Sequence, residues 1–140
     1  MIILKKGFFE QIVKQCKQEY PNEACGILAG KDVRVNGQSD RTVEKIYEMI
    51  NVEKSPSFFS MSPEEQLKVN KDIRNLGFEM IGVYHSHVKS QAYPSSEDVE
   101  LAFYPEVSYV ILSLQDLNNP VIRSFKIEEG KISEEEIKIG

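Results

Sequence analysis

Between Phe8 and Tyr20 the apolar residues fall at positions 8, 9, 12, 13, 16 and 20, a stripe at helical spacing that leaves Lys14, Lys17, Gln18 and Glu19 for solvent. The pattern predicts an amphipathic helix that Pro21-Asn22 ends. Ala24 to Gly30 is short and uncharged, as a buried strand would be, and Gly30-Lys31-Asp32 and Asn36-Gly37 follow as turn signals. A second strand is expected over 42–52, and Ser55 to Ser60 reads as a loop. Ser62-Pro63-Glu64-Glu65 combines an N-cap, a first-position proline and a third-position Glu, so a capping box should open a helix running to about Leu76, with Gly77 as its stop. Met80 to Ser86 is the next strand, and Ser95-Ser96-Glu97-Asp98 opens a short third helix. Val107 to Leu114, almost wholly apolar, suits a central strand, and two strands near 120–127 and 131–139 complete the chain. Helices and strands alternate throughout, which predicts one mixed α/β domain over residues 1–140.

Composition narrows the class. The chain has 140 residues and a net charge of -5, with 17 basic residues scattered among 22 acidic ones. No basic patch invites nucleic acid. No apolar run approaches the length of a membrane crossing, and the N-terminus has its apolar and basic parts in the wrong order for a secretory signal, so a cytoplasmic location is expected. Cys16 falls on the inner face of the first helix and Cys25 in a strand, and both read as buried, reduced thiols. The run Glu134-Glu135-Glu136 reads as a solvated strand edge or turn.

The chain's two histidines share one tripeptide, His85-Ser86-His87. Side chains two apart on a strand share a face, so both imidazoles can converge on one ion while Ser86 points away. Ile81 and Val83 are expected on the histidine face as well. Asp98 is the best third ligand, because it lies in the first turn of the helix that Ser95 opens, where a carboxylate meets the positive end of the helix dipole. Two imidazoles and one carboxylate leave a fourth tetrahedral position open, the arrangement of a catalytic zinc. Hydrolysis then needs a base that is not a ligand. Glu23 stands out, since it immediately precedes an uncharged strand, and the Ser95 hydroxyl could donate to an oxyanion. Each feature also has a plainer use. Alternating histidines occur in strands without a metal, Ser95 with Asp98 is an ordinary N-cap pair, and a lone Glu is more often a surface residue.

Taken together, His85-Ser86-His87, seven residues, Ser95, two residues and Asp98 resemble the H-x-H-x7-S-x2-D signature of the JAMM (MPN-plus, Mov34/PAD-1) metallopeptidases. Glu23-Ala24-Cys25-Gly26 is similar to the segment that carries that family's catalytic Glu, and Val88 departs from the proline many members have after the second His. The resemblance implies a cytidine-deaminase-like (JAB1/MPN) fold, a mixed curved sheet flanked by helices. It implies one zinc ion on His85, His87 and Asp98, with Glu23 as base and Ser95 stabilising the tetrahedral intermediate. The implied substrate is the amide bond after the diglycine tail of a ubiquitin-like protein, a sulfur carrier in particular. A non-catalytic interaction scaffold of the same fold, or a zinc hydrolase of a small amide, are the alternative readings. The zincin H-E-x-x-H, the metallo-β-lactamase H-x-H-x-D-H and the deaminase P-C-x-x-C patterns are all absent.

Overall fold

A computed structural model describes residues 1–140. Its strands are β1 (Ile2–Leu4), β2 (Cys25–Val35), β3 (Gln38–Met49), β4 (Glu79–His87), β5 (Ser108–Ser113), β6 (Val121–Glu128), β7 (Lys131–Glu135) and β8 (Ile137–Ile139). Its helices are α1 (Lys6–Glu19), α2 (Pro63–Asn75) and α3 (Ser96–Glu100). All eight strands form one sheet in the order β7-β6-β5-β4-β2-β3-β1-β8. The β4/β5 pair is parallel, as are β1/β3 and β1/β8, and the remaining pairs are antiparallel. The element order bears out the mixed α/β domain read from the sequence, and the sheet with flanking helices is the one the family resemblance implies. None of the helices is long and apolar enough to cross a membrane.

The apolar stripe of α1 covers one face of the sheet, where Ile12 and Cys16 join Leu28, Tyr84, Val110 and Leu112 in the largest core cluster. On the opposite face, Val69 and Ile73 of α2 meet Cys25, Ile27 and Ala29 of β2. Gln15 is the buried polar exception on α1: its amide donates to Cys25 O at 3.0 Å and accepts from the Tyr84 hydroxyl, fastening the helix to both central strands. Tyr84 lies directly opposite Gly26 in the β2/β4 register, and any Cβ at position 26 would collide with its ring. A glycine there is a packing requirement.

Several boundaries differ from the sequence reading. The second strand runs on to Val35 and the third begins at Gln38, because the pair extends as a hairpin arm around Asn36 and Gly37, whose φ angles of 52° and 77° suit a primed turn. The segment 131–139 is two strands, since β7 pairs with β6 at one end of the sheet order and β8 with β1 at the other, and the chain changes edges at Glu136. Glu135 is no solvated edge residue. It takes both Arg41 Nη2 bonds, at 2.9 and 3.1 Å, and accepts from the Ser108 and Ser124 hydroxyls, an ion pair that ties β3 to β7. The capping box at Ser62 is half formed: Ser62 Oγ accepts from Glu65 N at 3.3 Å, but the Glu65 carboxylate turns to Ile50 N at 3.1 Å. Ile81 joins the α1-side core instead of the histidine face. The register against β2 steps from Leu28↔Gly82 to Ala29↔Met80, so Ile81 is an extra residue at a bulge, where the side-chain alternation resets.

Candidate metal centre

β4 carries His85 and His87 at its C-terminal end, side by side on one face, each 4% exposed. The chain then loops out through residues 88–94 and returns at α3. Ser95 caps that short helix, accepting from Asp98 N at 3.1 Å, while Asp98 Oδ2 accepts from Ser95 N at 2.9 Å, which closes a full capping box. The box fixes where Asp98 Oδ2 sits: 3.2 Å from His85 Nε2 and 3.0 Å from His87 Nε2. The two Nε2 atoms are 3.1 Å apart. The same residue that finishes the cap therefore brings the third potential ligand to the histidine pair.

The donor set suits a cation. His87 Nδ1 lies 2.9 Å from Gln91 O, a pure acceptor, so the neutral ring carries its proton on Nδ1 and turns a bare Nε2 lone pair inward. That lone pair faces a carboxylate oxygen, and two acceptors at 3.0 Å repel unless a proton or a metal ion lies between them. Ligand atoms at about 2.0–2.1 Å from a tetrahedral zinc are about 3.3 Å from one another, close to the 3.0–3.2 Å separations here. In the metal-free protein a proton takes part of that role. Burial of His87 disfavours its charged form, but Asp98 and the Gln91 carbonyl outweigh it and raise the imidazole above its ordinary 6.5. Burial also works against the Asp98 carboxylate, yet the two histidines and Ser95 N–H hold it well below the usual carboxylate range.

Glu23 lies just before β2 and is only 5% exposed. Burial, joined by the charges of Asp98 and Glu97 and opposed by His87, pushes its carboxyl up to about 8. Its place comes from its backbone: Glu23 N donates to Ser55 O at 2.9 Å, and Glu23 O accepts from Asn51 Nδ2 at 2.9 Å. Ser95, exposed at the start of α3, uses its oxygen as a cap acceptor, which leaves the hydroxyl proton free to donate outward.

Two contributors escaped the sequence reading. Ser86 does point away from the histidines, but its Oγ accepts from Ala24 N at 2.8 Å and its own N–H donates to Ala24 O at 3.0 Å, locking the peptide after Glu23 to β4. A buried Ser between two histidines on a strand was the available signal. Phe59, from the loop between β3 and α2, stacks on His85 with ring centroids 4.6 Å apart and planes at 23°. Beside the histidines an apolar groove of about 380 Å³ runs between that loop (Phe58, Phe59, Met61) and the segment after α3 (Leu101, Phe103, Tyr104), with His85 and Asp98 in its wall.

Known proteins resemble this chain along nearly its whole length. The family described as prokaryotic homologs of the JAB domain matches residues 5–128. A CysO-cysteine peptidase of Mycobacterium tuberculosis is 34% identical over 139 residues, spanning 99% of this chain and 91% of that relative. A probable TtuB-protein conjugate cleaving protease of Thermus thermophilus is 29% identical over 132 residues, covering 94% of this chain and 79% of its own length. The solution structure of protein DSY2949 from Desulfitobacterium hafniense matches with a TM-score of 0.88 at 44% identity, over 100% of this chain and 93% of that one.

Proposed function

The chain belongs to the prokaryotic JAB-domain family, and from that premise we propose that it is a zinc metallopeptidase hydrolysing the amide bond that follows the C-terminal tail of a ubiquitin-like, sulfur-carrier protein. The observation that carries the chemistry is the convergence of His85 Nε2, His87 Nε2 and Asp98 Oδ2 within 3.2 Å of one another, with a buried carboxyl nearby that belongs to no ligand. His85, His87 and Asp98 hold the ion. Zinc bound there supplies Lewis acidity, acidifying water and polarising a carbonyl.

The chain's own residues do the rest. Glu23 takes the proton of the attacking water and passes it to the leaving amine, the double duty of a group whose proton affinity lies near the working pH. Burial holds the Glu23 carboxyl at about 8, so it can both accept and return a proton. Ser95 donates its free hydroxyl proton to the carbonyl oxygen as negative charge gathers there. Gln91 holds His87 in the tautomer that presents Nε2. Leu101, Phe103 and Tyr104 along the groove are exposed to solvent, which suits an extended peptide tail better than an enclosed small amide. A diglycine stretch can lie against the enzyme backbone where side chains would obstruct. Both cysteines are free and buried, in keeping with a reducing cytoplasm. The relatives named for a CysO-cysteine adduct and for TtuB-protein conjugates support this substrate class.

A non-catalytic scaffold is the weaker reading, because three convergent ligands and a separate buried carboxyl have no use in one. The test pairs zinc analysis of protein purified without added metal with cleavage of a sulfur-carrier protein extended by a peptide beyond its diglycine. Stoichiometric zinc and release of a diglycine terminus are expected. A zinc-loaded protein that leaves the extension intact would return the scaffold reading to the front.

A further inference from the structure

The buried Glu23 carboxyl makes no side-chain hydrogen bond of its own. Its direction must come from the peptide that carries it. That peptide is gripped from two sides, by Ser86 through Ala24 and by a group rooted at Asn51. Asn51 is 7% exposed, and its amide is saturated. Nδ2 donates to Glu23 O at 2.9 Å and to Phe58 O at 3.1 Å, while Oδ1 accepts from Glu53 N at 3.0 Å and Ser60 N at 3.2 Å. These are the two donors and two lone pairs an amide has. With carbonyls on one side and N–H groups on the other, its orientation is unambiguous.

Three of those partners, Glu53, Phe58 and Ser60, belong to the loop that carries Phe59 onto His85. The fourth is Glu23, whose remaining backbone bond also goes to the loop, at Ser55 O. We infer that Asn51 is a positioning residue that joins the Glu23 peptide and loop 53–60 into one rigid unit, so that the loop resting on His85 and walling the groove also aims the base. This inference rests on the assignment of Glu23 under Proposed function. Aspartate cannot replace Asn51, because its carboxylate would oppose two carbonyl oxygens.

The first test needs neither metal nor substrate. Amide hydrogen exchange is followed by NMR in the Asn51→Ala protein. Protection at Glu23, Glu53 and Ser60 is expected to fall together by about tenfold or more, with the amides of β4 and β5 unchanged. Loss at Glu53 and Ser60 with Glu23 unaltered would overturn the inference, since the amide would then brace the loop alone. Should the alanine variant fail to fold, Asn51→Ser, which is small and uncharged, takes its place. The second test is a double-mutant cycle on the zinc-loaded enzyme. Asn51→Asp is expected to lower kcat about 100-fold with zinc content held, as a base displaced by about 1 Å would. In a Glu23→Gln background the same change should cost less than about threefold. Effects that simply multiply would show Asn51 acting by another route and sink the inference. A Glu23→Gln enzyme that keeps its full kcat would instead remove Glu23 as the base, while the exchange data still decide whether the rigid unit exists.

Discussion

The protein buries charge in two places, and the two are built differently. Between β3 and β7, Arg41 sits 5% exposed against Glu135 at 13%, with Ser108 and Ser124 donating to the same carboxylate and the guanidinium also reaching the carbonyls of Ile81 and Glu106. Only Arg41 Nε lacks a partner there. At the end of β4, His85, His87 and Asp98 are as well buried, but they turn lone pairs toward one another, so the positive charge between them must be bound from solution, as a proton or a metal ion. The chain supplies a permanent charge of each sign in the first cluster and only the negative one in the second. A buried cluster complete in itself serves the fold. One that is complete except for a positive charge is shaped for something the chain does not encode.

Removing one member from each cluster should therefore separate function from stability. Asp98→Ala is expected to reduce peptidase activity to background and zinc content well below one per chain, by elemental analysis, while lowering the metal-free melting temperature by only a few degrees, the cost of the cap bond it accepts from Ser95 N. Arg41→Ala should do the reverse. Stranding the Glu135 carboxylate costs about 3–5 kcal/mol, roughly a 10–20 °C drop in Tm for a chain of this size, and zinc binding in the surviving folded protein should be normal. An Arg41→Ala protein that melts like the parent would mean the two clusters do not differ in the way described.

A subtler contrast concerns Glu23, whose carboxyl lies near 8 when folded against an ordinary 4.5. Across that window the folded protein holds a proton that the unfolded chain releases, so the metal-free protein should lose stability as pH rises from about 4.5 to 8. Glu23→Gln should flatten this slope, melting on the order of 10 °C above the parent at alkaline pH and level with it at the acid end. The smallest effect is expected at His87. Its raised pKa means that zinc binding displaces a proton already at a pH above 6.5, so zinc affinity measured by competition should begin to weaken, as pH falls, sooner than it would for an ordinary imidazole.

How much of this could be read from the sequence depended on how far apart the partners are. His85, His87, Ser95 and Asp98 lie within fourteen consecutive positions, and a strand alternation plus a helix cap suffice to bring three ligand atoms together on paper. The helices announced themselves by periodicity and punctuation. Arg41 and Glu135 are 94 positions apart, and nothing periodic links them, so the acidic run at 134–136 looked like surface. Asn51 was hidden in the same way, with its decisive partner 28 positions upstream. The bulge that turns Ile81 to the other face depends on pairing with β2, and no local pattern on β4 records it.

The Phe59 ring stacked on His85 carries a practical consequence. A proton held over the face of an aromatic ring is shielded by the current circulating in it, so the His85 imidazole protons should resonate upfield of those of His87. The chain has two histidines, and once the amides have exchanged in D2O their two Hε1 protons stand downfield of the Phe and Tyr ring protons. Two lines in a one-dimensional spectrum thus report whether the loop is seated, with the intact protein carrying its own label.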